Sequence, residues 1–326
     1  MADIPTNLWA SGKSPIFRHR RPDKTAMLRY WLIAFLAFIP ACAPHTTALP
    51  EYTLYNASNR QNLPADYIAY LKHSRFTHHE LDGLPPYAIL FHGNPIPYFA
   101  ALHVSSEEIT TLDLGTTDTS TLYIIRPHDG STAFLINRAQ PGAGGTATQT
   151  AELTALGARY LIHIGTSGLL GKRLDEHTVI QATSSYKDGG ATLLSLHPSD
   201  RLSHPDDDLT RRLHRHLEAL QIPSASATGY TIPIYYFQPA GLISALLAAQ
   251  EFSRPRPEYI EMEEAPFFES AALTHTAAAS LTVGSDRYTI SGNGTLAHAF
   301  LDDAVVTQSL TAALRAARAT FNDLAK

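Results

Sequence analysis

A single cysteine, Cys42, stands in 326 residues, which excludes an intrachain disulfide and any multi-cysteine metal centre. A strong charge of one sign is also missing. Lys and Arg number 25 against 30 Asp and Glu, and the formal charge of -5 offers no electrostatic ground for binding nucleic acid. No apolar run reaches the roughly 20 residues that a membrane-spanning helix needs. Walker A loops, Gly-x-Ser-x-Gly elbows, paired zinc-binding clusters and internal repeats are absent as well. What remains is a globular composition, 44% hydrophobic and 17% charged, of a length that suits one large domain. Sixteen histidines make its charge sensitive to mild acid.

The N-terminal segment reads as an address. Arg18, Arg20, Arg21, Lys24 and Arg29 precede an apolar stretch from Tyr30 to Ile39, followed by Pro40, Ala41 and Cys42. A basic flank, a short apolar run and small residues describe an export signal. Ile39-Pro40-Ala41-Cys42 resembles the lipobox of bacterial lipoproteins, with Cys42 as the lipid attachment point and Met27 in the place where such a signal starts. The expectation is residues 1–42 as signal, 43–85 as tether and N-terminal region, and 86–326 as the folded domain. The chain would then be exported to the bacterial cell envelope and held at a membrane through its lipid. A plain cleaved signal is the alternative.

Pro64, Ile68 and Leu71 share a face and predict a short helix. From Tyr87 the pattern becomes apolar runs ended by glycine turns. Strands are expected at Ala88–Phe91, Thr121–Ile125, Ala133–Ile136 and Tyr160–Ile164, the last ending on the turn Gly165-Thr166-Ser167-Gly168. Gly142-Ala143-Gly144-Gly145-Thr146 leads into a helix over Thr148–Leu156, giving a β-α-β unit with parallel pairing. Further strands are expected at Thr178–Ala182, Tyr259–Met262 and Leu281–Gly284. Helices are expected at Asp206–Leu220, where leucines recur every four residues, at Gly241–Phe252, and over Thr295–Leu324 with a break at Asp302-Asp303. The sum is one α/β domain.

Three groups of residues could carry chemistry. The glycine turns let backbone amides approach an anion, although such turns are also common for steric reasons. Glu261-Met262-Glu263 ends a strand with two carboxylates that can accept hydrogen bonds from a diol, beside a soft apolar methionine; with Glu264, the same residues also suit an acidic helix start. Ser285-Asp286 follows Leu281-Thr282-Val283, placing an acid at a strand's carboxyl end, or simply a turn cap. His78-His79-Glu80 and His214-Arg215-His216 lack ligand spacing and read as surface residues, so no metal is expected.

Taken in order, these motifs resemble the nucleoside phosphorylase superfamily, which holds hexameric purine nucleoside phosphorylase, uridine phosphorylase and the nucleosidases. The resemblance runs from about Phe76 to the C-terminus. It implies a single three-layer phosphorylase/hydrolase-like α/β domain with a central mixed, largely parallel sheet. It further implies an anion loop drawing on Gly93, Gly144, Gly145, His163 and Thr166. Met262 would lie under the ribose, Glu263 and Glu261 would hold its hydroxyls, and His79 would reach the 5'-hydroxyl across a dimer. Tyr236, Phe237 and Ser285 would contact the base, and Asp286 would protonate N7 of a purine. Oligomers, dimeric or hexameric, come with the resemblance, as do inorganic phosphate as co-substrate and no cofactor. The chain departs from the family where phosphate binds: Gly93-Asn94-Pro95-Ile96-Pro97 replaces Gly-Asp-Pro-x-Arg, and His163 stands for an arginine. Arg138, Lys172 and Arg173 are the available substitutes. Purine nucleoside phosphorolysis is the leading expectation, with a hydrolytic nucleosidase or a catalytically degenerate nucleoside-binding lipoprotein as alternatives.

Overall fold

Apolar segments of about five residues, buried on both faces, are what the centre of an α/β sheet demands. Tyr87–Phe91 (β1), Thr121–Ile125 (β3) and Phe134–Arg138 (β4) meet that demand. The computed structural model describes residues 63–76, 80–114, 121–188, 200–235, 241–250 and 254–326, all within one unit, Tyr52–Lys326. Cys42, His79, Tyr236 and Phe237 lie outside them. No helix among the described residues is long and apolar enough to cross a membrane.

The remaining strands are Ile109–Asp113 (β2), Tyr160–Leu170 (β5), Val179–Lys187 (β6), Leu202–Ser203 (β7), Ser224–Thr231 (β8), Pro257–Glu261 (β9), Ala277–Ile290 (β10) and Leu296–Phe300 (β11). Helices are Pro64–Ser74 (α1), Ala143–Ala155 (α2), Asp207–Ala219 (α3), Leu242–Ala249 (α4), Glu264–Leu273 (α5) and Asp303–Leu324 (α6). One mixed sheet runs β11-β10-β6-β8-β9-β5-β1-β4-β3-β2, and β10 also pairs with β5. That extra pairing closes β5, β10, β6, β8 and β9 into a ring, from which β1, β4, β3 and β2 extend as an open wing. Pairings of β1 with β4 and β5, and of β5 with β10, are parallel.

Two apolar clusters, one on each face, make the three layers. Leu209, Leu213 and Leu217 of α3 and Leu310, Leu314 and Phe321 of α6 pack with Ile89, Ile162 and Leu281. On the other face Leu71 of α1, Leu153 of α2 and Phe267 and Phe268 of α5 pack with Leu90, Leu135 and Leu161. The four-residue leucine spacing of α3 thus becomes its buried stripe, and Asp206 caps it by accepting from Leu209 N at 2.8 Å.

Two expected elements differ. Gly165–Gly168 is strand rather than turn: β5 runs straight through it, paired with β10 along its length. Its glycines serve close packing, since a Cβ on Gly168 would lie 2.6 Å from Tyr288 and 3.1 Å from Asp286 Oδ2. The terminal helix begins at Asp303, and Leu296–Phe300 is a strand. The Asn293-Gly294 turn, with Gly294 at φ +81°, folds it antiparallel onto β10 and overrides the helical propensity of its alanines.

Candidate active site

The carboxyl ends of β1, β4, β5 and β9, together with a bulged stretch of β10, surround a cavity of about 400 Å³. Brought together there are Gly93, Thr166, Glu261, Met262, Glu263, Ser285 and Asp286 from the residues expected at the site. His92, Arg138, Tyr235 and Tyr288 line it as well.

Glu263 ends the turn after β9. Its Oε1 accepts from Gly142 N at 2.7 Å and its Oε2 from Met262 N at 3.2 Å. Gly142 sits at φ +85°, a conformation glycine adopts without strain, and this aims its amide at the carboxylate just before α2. Burial raises the Glu263 pKa, and those two amide donors oppose the rise. Each oxygen still has acceptor capacity facing the cavity.

Glu261 is turned into the protein. Its carboxylate takes hydrogen bonds from Glu263 N (2.5 Å), Glu264 N (2.6 Å), Ser185 Oγ (3.3 Å) and the Thr231 hydroxyl. Burial and the neighbouring Glu263 charge push it up to about 7. Four internal donors make Glu261 the clamp of the β9–α5 turn and leave it little capacity for a ligand. Glu264 is wholly buried behind it, accepting from Tyr259 Oη at 2.6 Å and Ser280 Oγ at 2.7 Å.

Asp286 owes its aim to a β-bulge. The β10–β5 register slips between Gly284 and Asp286, so that Ser285 is the extra residue. Adjacent residues of a regular strand point to opposite faces, yet here Ser285 and Asp286 both line the cavity. Ser285 Oγ donates to Asp286 Oδ1 at 2.7 Å, and His298 Nε2 lies 2.9 Å from Oδ2. His298 comes from β11, directly across from Tyr288, whose ring stacks on the imidazole at 4.5 Å. Burial and the adjacent Asp286 raise the Tyr288 hydroxyl pKa, keeping it a neutral donor.

The floor of the cavity is built differently. His92 follows β1, held by its amide donating to Ile164 O at 2.9 Å. Its ring lies 4.8 Å from that of His163, which is buried behind it on β5 and does not itself line the cavity. His163 Nδ1 is 2.8 Å from Ser280 Oγ. Burial lowers His92 to about 3, and burial with the neighbouring His92 lowers His163 well below the usual imidazole value, so both are neutral at pH 7.

Gly144 and Gly145 fall inside α2, away from the cavity. A Cβ on Gly145 would be 2.7 Å from Gln140 Cβ, so its bareness serves helix packing. Of the cations considered as arginine substitutes, Arg138 at the end of β4 lines the cavity, Arg173 pairs with Glu258, and Lys172 is an exposed residue. His92, His298 and Tyr288 do not stand out in the sequence: an isolated histidine carries no periodic signal, and the Asn-Gly turn is the available clue to the β11 hairpin.

Residues 98–322 match the phosphorylase superfamily. The chain belongs to that superfamily. Among solved structures, this member of the phosphorylase superfamily is similar to purine nucleoside phosphorylase from Toxoplasma gondii in complex with immucillin-H. The TM-score is 0.60 at 16% identity, over 75% of this chain and 93% of that one. It is likewise similar to uridine phosphorylase from Vibrio fischeri ES114, with a TM-score of 0.58 at 15% identity, over 74% of this chain and 98% of that one. The same Vibrio enzyme complexed with 6-hydroxy-1-naphthoic acid gives 0.60 at 15% identity, over 79% and 100%. At these identities the likeness establishes the fold. No curated protein sequence matches the chain.

Proposed function

We propose that this phosphorylase-superfamily member cleaves the N-glycosidic bond of a purine nucleoside by phosphorolysis, releasing the free base and ribose 1-phosphate. The observation that carries this reading is the placement of Glu263 and Asp286 in one cavity, each oriented by its own donors. Glu263, fixed by Gly142 and Met262 amides, has the geometry to accept from two vicinal hydroxyls. Met262 presents its soft side chain to the sugar face. Asp286 stands where a leaving base would gather charge. As the C1'–N9 bond breaks, its electron pair passes to the base, Asp286 supplies a hydrogen bond or proton at N7, and a phosphate oxygen forms the new bond to C1'. His298 Nε2, 2.9 Å from Asp286 Oδ2, is positioned to return a proton to the carboxylate. Arg138 is the guanidinium in the lining that can meet the phosphate dianion.

The neutral histidines on the floor favour one alternative, hydrolysis, because they supply less fixed positive charge for phosphate than arginines would. Base release from inosine, adenosine, methylthioadenosine and uridine, with and without phosphate, separates the two. Release from purine nucleosides that requires phosphate is the expected result. Release independent of phosphate would establish hydrolysis, and binding without release would leave a nucleoside-binding protein. Asp286→Asn is expected to lower purine turnover by about 10²- to 10⁴-fold while sparing binding; unchanged turnover would remove Asp286 from the chemistry.

We further propose attachment to the bacterial envelope through a lipid on Cys42, and assembly as a homo-oligomer. Metabolic labelling with a radioactive fatty acid should mark the wild type and leave Cys42→Ala unmarked. Sedimentation velocity reads the assembly.

A further inference from the structure

We propose that His92, His163 and Glu263 form a binding site for a divalent transition-metal ion of the zinc class, open on one side to the cavity. These residues each offer one ligand atom, and the three atoms lie within 4.8 Å of one another. Two imidazoles and a carboxylate are a donor set that zinc accepts while keeping a further position for water or substrate. At zinc–ligand distances of about 2.1 Å, tetrahedral ligands stand roughly 3.3 Å apart, so closing on an ion draws the widest pair together by up to about 1.5 Å. His92 has the freedom for this, since it sits at the end of β1 with its side chain partly open to the cavity.

Three independent features point to a cation. First, Nε2 of His92 and Nε2 of His163 are buried and have no hydrogen-bond partner among the described residues. A buried nitrogen without a partner costs about 1–3 kcal/mol, so leaving one in each of two neighbouring rings, 4.8 Å apart between centroids, needs a reason. Second, the cluster carries the outer support that metal-ligating histidines have. Ser280 Oγ donates to Glu264 Oε1 at 2.7 Å and lies 2.8 Å from His163 Nδ1. A hydroxyl donating to Glu264 accepts from His163 Nδ1, the tautomer that leaves the Nε2 lone pair for a ligand. Third, Glu261, Glu263 and Glu264 bring three carboxyl groups together in a buried position at the β9–α5 turn. An ion at the histidine floor would favour their charged forms.

Because His92 and Glu263 line the cavity while His163 lies behind, the ion's open position would face the ligand space. A water or a phosphate oxygen could complete the shell there. The site stands on its own geometry and does not rest on the nucleoside reading; a metal titration and a base-release assay can therefore fail separately.

The test is a Zn²⁺ and Co²⁺ titration of the purified full-length chain, followed by gel filtration in metal-free buffer. One retained equivalent is expected, with the visible absorption of a low-symmetry Co²⁺ site. His163→Gln should abolish retention, and Ser280→Ala, which keeps all three ligands, should weaken binding by about 10- to 100-fold. No retained equivalent in the wild type, or full retention in both His163→Gln and His92→Gln, overturns the site. Should His163→Gln fail to fold, Ser280→Ala decides, and an affinity equal to wild type overturns the proposal.

Discussion

At the Asp286 end of the cavity each carboxylate oxygen has a hydrogen-bond partner; at the His92 floor two imidazole nitrogens have none among the described residues. Both ends are buried and both line or underlie the same space. The difference lies in who completes the shell. Asp286 receives Ser285 and His298 from within the chain, and Glu261 receives four internal donors, so these carboxylates are oriented before any ligand arrives. His163 is positioned by strand pairing and by Ser280, and His92 by its backbone hydrogen bond to Ile164, yet the Nε2 atoms of both have no partner among the described residues. A pre-satisfied group sets geometry; an unsatisfied one sets affinity for whatever satisfies it.

The largest expected break in that comparison is Glu261→Leu. Removing the carboxylate orphans the buried amides of Glu263 and Glu264 and leaves the Ser185 and Thr231 hydroxyls only each other and Ala265 N, and thermal or urea unfolding should show a loss of about 2–5 kcal/mol. A loss below about 1 kcal/mol would mean that Glu261 does not clamp the turn. Next is Gly168→Ala. The new methyl falls 2.6 Å from Tyr288 Cε2 and 3.1 Å from Asp286 Oδ2, so stability should drop by about 1–3 kcal/mol and turnover should drop with it. Wild-type turnover in a destabilised variant would show that the Asp286 end tolerates displacement.

The smallest effect concerns pH at the floor. His92 titrates at about 3 when folded and near 6.5 when unfolded. A lowered folded value gives stability that is fully present above pH 6.5 and is lost as pH falls toward 3. Replacing it removes that dependence. In chelator-containing buffer, His92→Gln should therefore lose less stability than the wild type between pH 6.5 and 5, by on the order of 1 kcal/mol. Parallel pH profiles would place His92 in water rather than in the buried floor.

Much of the frame is legible in the chain because apolar runs such as Ala88–Phe91 have one physical use. The leucines of α3 show the same directness, and Glu263 and Asp286 stand out because an acid ending an apolar strand is conspicuous. The ring-closing elements are harder to read. Strand β8, Ser-Ala-Ser-Ala-Thr-Gly-Tyr-Thr, is made mostly of small and hydroxylated residues, and Gly229 leaves room for Tyr259 of the neighbouring strand; periodicity has nothing large to detect. Strand β11 hides behind alanines. His92 and His163, 71 positions apart, become neighbours through the β1–β5 pairing alone, and no local pattern announces such a meeting.

The bulge at Ser285 has a consequence for how such proteins are compared. Asp286 faces the cavity because one residue more stands on β10 than β5 opposes, so its role is set by a count as much as by its identity. Two chains could share this aspartate in a gapless alignment and still present it to opposite sides of the sheet. Conversely, a relative with its acid displaced by one position could place it in the same spot. For this family member, the spacing between Leu281 and Tyr288 is itself part of the candidate site.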